Sequence, residues 1–90
     1  MGHLSRDSSK LIARLRRIKG QVEGVERALE SDADCSEVLR QIASIRGAMA
    51  GLTNEMLEEH LRSHVVGAPT ASDREHGAEE MIQILKSYLK

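Results

Sequence analysis

Two histidines, His60 and His64, stand four residues apart in the stretch "EEHLRSH". On a helix such residues lie on one face, about a turn apart, so both imidazoles can reach one metal ion. The chain has one cysteine, Cys35, and two further histidines, His3 and His76. One thiolate with several imidazoles is a borderline-soft donor set, suited to Ni, Co, Zn or Cu and not to Mg or Ca. Cys35 lies 25 positions before His60. If one helix joins them they are about 37 Å apart along its axis. A helix cannot fold that distance away, so the thiol and the imidazoles of one chain cannot share an ion along it.

The elements that position these side chains are read from apolar spacing. Leu11, Leu15, Ile18, Val22, Val25 and Leu29 follow a 4-3 heptad rhythm, which predicts a helix over Ser5–Glu30. Val38, Ile42, Ile45, Met49, Leu52 and Met56 repeat it, and predict a second helix from Cys35 or Ser36 to Val66. Between them "ESDADCSE" supplies turn and cap residues. Pro69 in "GAPTA" closes the second helix. Ser72 with Glu75 has the spacing of a capping box, and a short third helix should carry Met81, Ile82, Leu85, Tyr88 and Leu89 on its apolar side. The expected fold is all-α, three helices in one domain over residues 1–90, with no strand.

A short connection makes the first two helices an αα-hairpin, which carries His3 toward His60 and His64 of its own chain. Two copies of the second helix, packed antiparallel across a two-fold axis, then bring Cys35 of one chain to the histidines of the other. Ala43, Gly47 and Gly51 form a row of small residues near the middle of that helix. Interior glycines cost about 1 kcal/mol each relative to Ala, and close approach of another helix is one reason to keep them. The expected ligand set is His3, His60 and His64 with Cys35 from a second copy. The free amine of Gly2, after removal of Met1, is a further donor. His76 reads as a surface residue, and "HLRSH" lacks the glutamate a zinc protease places between its histidines.

Net charge is −1, but its distribution is uneven. Lys10, Arg14, Arg16, Arg17 and Lys19 fall between Ser8 and Val22 with no acid among them, whereas Glu23–Glu80 holds 13 acids against five arginines. Such runs are ordinarily solvated helix faces. Clustered at helical spacing, as Lys10, Arg14 and Arg17 are, they also make phosphate contacts with nucleic acid. No helix-turn-helix or zinc-finger pattern is present. The chain shows no secretory leader and no apolar run near the ~20 residues of a membrane span. With a lone cysteine, it reads as cytoplasmic with no membrane partner.

The segments "RLRRIKGQVEGVERALE", "CSEVLRQIASIRGAMAGL", "HLRSHV" and "LKSYLK" together resemble the CsoR/RcnR/FrmR family of small bacterial repressors. The resemblance implies an all-α homotetramer, a dimer of dimers without a helix-turn-helix, that leaves double-stranded operator DNA when an inducer binds between subunits. It assigns DNA contacts to Arg14 and Arg17, with Arg16 and Lys19 in support. The copper branch typically has a second cysteine where this chain has His64. The formaldehyde branch typically has Pro and Glu where it has Gly2 and His64. The nickel/cobalt branch, typified by RcnR, has the types of His3, Cys35, His60 and His64. The implied inducer is Ni(II) or Co(II), with Zn(II) able to occupy the same donors in vitro. The alternative is formaldehyde, captured by Cys35 and the N-terminal amine.

Overall fold

The computed structural model describes residues 8–89. They form three α-helices and no strand: α1 (Ser8–Glu30), α2 (Cys35–Leu61) and α3 (Ala71–Tyr88). A π-helical turn, Arg62–Val66, follows α2 directly. Residues 5–7, His3 and Gly2 lie outside the described residues. Two compact units are present, 8–53 and 54–89, and α2 runs through both.

α1 ends where Asp32 takes the left-handed conformation, φ 62°. The Ala33 N–H then reaches back to the Ala28 carbonyl at 2.9 Å, the long bond of a Schellman ending. α2 starts two residues later, with the Asp34 carbonyl accepting from the N–H groups of Glu37 and Val38. In its first turn, Gln41 Nε2 and Arg40 donate to the Glu37 carboxylate at 3.1 and 3.0 Å. These two partners, Gln41 foremost, hold its carboxyl below the usual carboxylate range.

In the first unit α1 and the first part of α2 form the expected hairpin, and the heptad stripes divide between two environments. Leu11, Ile18 and Val25 on α1, with Val38, Ile45 and Leu52 on α2, are buried or half-buried along the seam. Leu15, Val22 and Leu29, with Ile42 and Met49, are exposed. Each stripe is thus half used by its own chain. Only Ile18 and Ala28 are buried hydrophobics among the described residues, and Leu29 is 64% exposed. A chain of this size that leaves so regular an apolar row in water has more to bury than one copy can cover.

The hairpin also explains one of the two central glycines. A Cβ on Gly51 would fall on the Arg14 guanidinium, so the missing side chain makes room for that arginine. Nothing lies within 4 Å of a Cβ at Gly47, which is exposed, as is Ala43.

In the second unit the ordinary helix ends five residues before the expected Val66. The Gly67 N–H bonds to the Arg62 carbonyl at 2.8 Å, five residues back, which defines the wider turn. α3 begins at Ala71 and extends 18 residues, longer than the short tail helix expected. Its N-cap is Thr70, whose Oγ1 accepts from the Asp73 N–H at 3.0 Å. The Ser72–Glu75 spacing is therefore not the cap, because Ser72 already lies inside the first turn. Thr70→Ala is expected to cost about 1 kcal/mol of stability, read as a lowered denaturation midpoint.

Candidate functional site

His60 lies near the end of α2 and His64 in the middle of the π-helical turn. Their ring centroids are 4.6 Å apart with the planes tilted by 37°. The pair expected from spacing is therefore present, although its second member is not on regular α-helix. The two acids of "EEHLRSH" are engaged by neighbours on the same helix. Glu58 accepts from Arg62 at 2.8 and 3.1 Å, and Glu59 accepts from the Ser63 hydroxyl at 2.8 Å.

His60 Nε2 is buried and makes no hydrogen bond among the described residues. Glu80 Oε1 on α3 stands 3.6 Å from it, beyond hydrogen-bond length but within reach of an ion pair. The other oxygen of Glu80 stands 3.5 Å from His76 Nε2. Glu80 thus sits between two imidazoles, a residue that sequence reading missed. His76, exposed as expected, has this carboxylate as a partner after all. The unbonded Nε2 fits a metal-ligating role, and because Glu80 faces this same nitrogen it competes for the position instead of orienting the ring from the other nitrogen.

α3 holds the π-helical turn through Gly77, one of the few buried residues. A Cβ there would overlap the His64 carbonyl oxygen and come within 2.7 Å of the carbonyl carbon and 3.0 Å of the His64 Cβ. The obstacle is backbone and cannot swing away. Gly77→Ala is expected to cost about 1–3 kcal/mol through overpacking. It should also shift the His64 NMR cross-peaks more than those of residues on α1.

Cys35 is the first residue of α2 and its thiol is free and exposed. It stands at the opposite end of a 27-residue helix from His60. Among the described residues no three His, Cys, Asp or Glu side chains of one chain group so as to hold a metal ion. His3 and Gly2 are outside those residues.

The basic segment is distributed around α1 and not confined to one face. Lys10, Arg16, Arg17 and Lys19 are exposed, whereas Arg14 is half-buried over Gly51. On one side of the hairpin, Arg17 lines a polar trough of ≈ 410 Å³ between α1 and α2. On the other side, Val22, Val25 and Leu29 face Ile42 and Ile45 across an apolar trough of ≈ 430 Å³. One hairpin therefore carries a polar, basic side and an apolar side, back to back.

A helical scaffold with a histidine pair, a free thiol and a basic hairpin face has the parts of a ligand-responsive binding protein. Residues 7–87 match the family described as metal-sensitive transcriptional repressors. The chain belongs to this family, whose members are repressors and not enzymes. It is 52% identical, over the whole of both chains, to an uncharacterized protein in the bioA 5′ region of Serratia marcescens. It is 41% identical over the whole of both chains to the transcriptional repressor RcnR of Citrobacter koseri. Among solved structures it resembles a glutamate-to-histidine variant of the formaldehyde-responsive regulator FrmR from Salmonella enterica serovar Typhimurium. That likeness has a TM-score of 0.85 and 44% identity, covering 97% of this chain and 99% of the other. It also resembles the Cu(I)-bound copper-sensing repressor CsoR of Geobacillus thermodenitrificans, with a TM-score of 0.86 and 30% identity, over 92% of this chain and 86% of the other. The all-α fold is common to both. No helix among the described residues is long and apolar enough to cross a membrane.

Proposed function

We propose that this chain is a cytoplasmic repressor that holds double-stranded operator DNA as a homotetramer, a dimer of dimers, and releases it on binding Ni(II) or Co(II). The genes so released would serve metal export or detoxification. The observation that carries the reading is the His60–His64 pair, with rings 4.6 Å apart and the His60 Nε2 lacking a hydrogen bond. His3, His60 and His64 of one chain, with Cys35 of a second copy, would hold the ion, and the Gly2 amine would complete the set. The bound ion would supply a cross-link between chains. The donor types match the RcnR-like branch, and the similarity to RcnR of Citrobacter koseri supports it.

His3 precedes α1 by only a few residues. A histidine tied to the end of α2 therefore restricts the start of the helix that carries Arg14 and Arg17, with Lys10, Arg16 and Lys19 around them. A shift of the basic faces relative to one another weakens phosphate contacts together, since each contributes to the same salt-dependent affinity. Proton competition at the thiol and imidazoles makes metal affinity fall as pH drops.

A second reading is favoured by the exposed thiol and by the similarity to a formaldehyde-responsive regulator. The Cys35 thiol and the Gly2 amine would each give up one hydrogen, formaldehyde oxygen would leave as water, and a methylene group would bridge sulfur and nitrogen. The test titrates Ni(II), Co(II), Zn(II) and formaldehyde onto reduced protein bound to a duplex that the protein itself selects from a random pool. Release by Ni(II) or Co(II) at stoichiometric metal supports the first reading. Release by formaldehyde alone, with the bridge visible by intact mass, replaces it with the second.

A further inference from the structure

The polar trough of the hairpin is not accounted for by the basic segment of α1. Its arginines are Arg17 and Arg27, its other polar residues are Gln21, Gln41 and Ser44, and no carboxylate lines it. Arg27 lies outside the basic segment, among the acids that follow it. We propose that this trough seats the sugar–phosphate backbone of the DNA duplex, so that the DNA surface is shared by α1 and α2 and includes Arg27. The proposal rests on the DNA-binding reading above.

Three observations carry it. First, Arg17 and Arg27 line the same trough and are about 15 Å apart along α1, far enough to meet separate phosphates of one strand, which carries a charge about every 3.4 Å of helix axis. Second, Ser44 Oγ accepts the Gln21 side-chain N–H at 3.4 Å, which leaves the hydroxyl proton able to donate to a phosphate oxygen. Third, Gly20 lines the trough and nothing lies within 4 Å of a Cβ placed on it. The fold of one chain does not need a glycine there, and an interior helical glycine is unfavourable relative to Ala. An open floor between two arginines is what close approach of a bulky polyanion requires.

A second copy of the chain is the rival occupant. The charge pattern disfavours it, because the exposed apolar row that a second copy would cover lies on the opposite side of the hairpin.

The experiment uses the full-length protein and a duplex it selects from a random pool, with binding measured by fluorescence anisotropy across a salt series. Arg27→Gln is expected to weaken binding about tenfold and to flatten the slope of log affinity against log salt by about one or more. Gly20→Glu places a carboxylate on the trough floor, where the space is open and helix propensity improves. It should weaken binding about a hundredfold while the helical circular dichroism and melting temperature hold or rise. Arg74→Gln, the same charge change on α3, serves as the control and should have little effect. Equal losses in Arg27→Gln and Arg74→Gln would reduce the effect to overall charge and overturn the proposal. So would unchanged binding in Gly20→Glu, or a change in its sedimentation mass, which would give the trough to a second copy. If the wild-type protein selects no duplex, the repressor reading itself fails, and that result is separate from the others.

Discussion

Cys35→Ala is expected to leave DNA affinity near the wild-type value while removing the response to metal. In the wild type, stoichiometric Ni(II) or Co(II) should weaken binding by a factor of about 5–150, the usual span of allosteric coupling. In the variant that factor should fall to about one. The selectivity of the effect follows from position. The thiol is exposed at the first residue of α2, so its removal should leave the hairpin undisturbed. It does not line the polar trough. His64→Ala should behave similarly, whereas His76→Ala should keep the metal response, because His76 is exposed and its Glu80 contact is to the oxygen other than the one beside His60. Paired anisotropy titrations with and without metal check all three. A Cys35→Ala protein that still releases DNA on Ni(II) would remove the thiol from the site and with it the reason to place the site between chains.

Much of this arrangement is legible in the residue order, and the parts that are not share a cause. The 4-3 spacing marks α1 and α2 because burial on one side of a helix imposes that period wherever the partner comes from. For the same reason it cannot say which partner. Ile18 and Val22 belong to one stripe by spacing, yet the first is 4% exposed and the second 51%. Only the hairpin geometry assigns Ile18 to its own chain. The helical run closes at Val66 as the spacing predicts, but its last five residues, Arg62–Val66, are π-helical, and a π-helical turn has no local signature separate from an α-helical one. Its reason is tertiary: α3 lays Gly77 against the His64 carbonyl. Thr70 and Ser72 both precede suitable acids, and the choice between them depends on where the chain leaves the turn after Pro69. HxxxH and the single cysteine are visible because metal ligands are few in kind. Glu80 is invisible because a carboxylate among many on a charged helix becomes specific only through what it faces.

Ile42→Glu should have the largest effect on the molecule as a whole. Ile42 is exposed, yet it lines the apolar trough opposite Val22, Val25 and Leu29. If a second copy covers that trough, the variant places an unpaired carboxylate at the interface, a cost of about 3–5 kcal/mol for each such site. A two-fold interface incurs it twice. The protein should then sediment as a monomer and melt at a clearly lower temperature, since one chain alone buries only Ile18 and Ala28 as hydrophobic core among the described residues. If water covers the trough in the functional protein, Ile42→Glu would be nearly silent, and Glu at an exposed helical position would even favour solubility. The two outcomes are far apart. A further consequence separates this variant from a merely destabilised one. Cys35 lies seven residues before Ile42, in the same heptad register and on the same exposed edge of α2. A thiol at the end of a row that faces a second chain is presented to that chain. Loss of the contact should therefore abolish the metal response along with the dimer, at protein concentrations where circular dichroism still reports helix. A monomeric Ile42→Glu protein that bound Ni(II) with wild-type affinity would place the whole ligand set within one chain, against the distance along α2 that first separated Cys35 from His60.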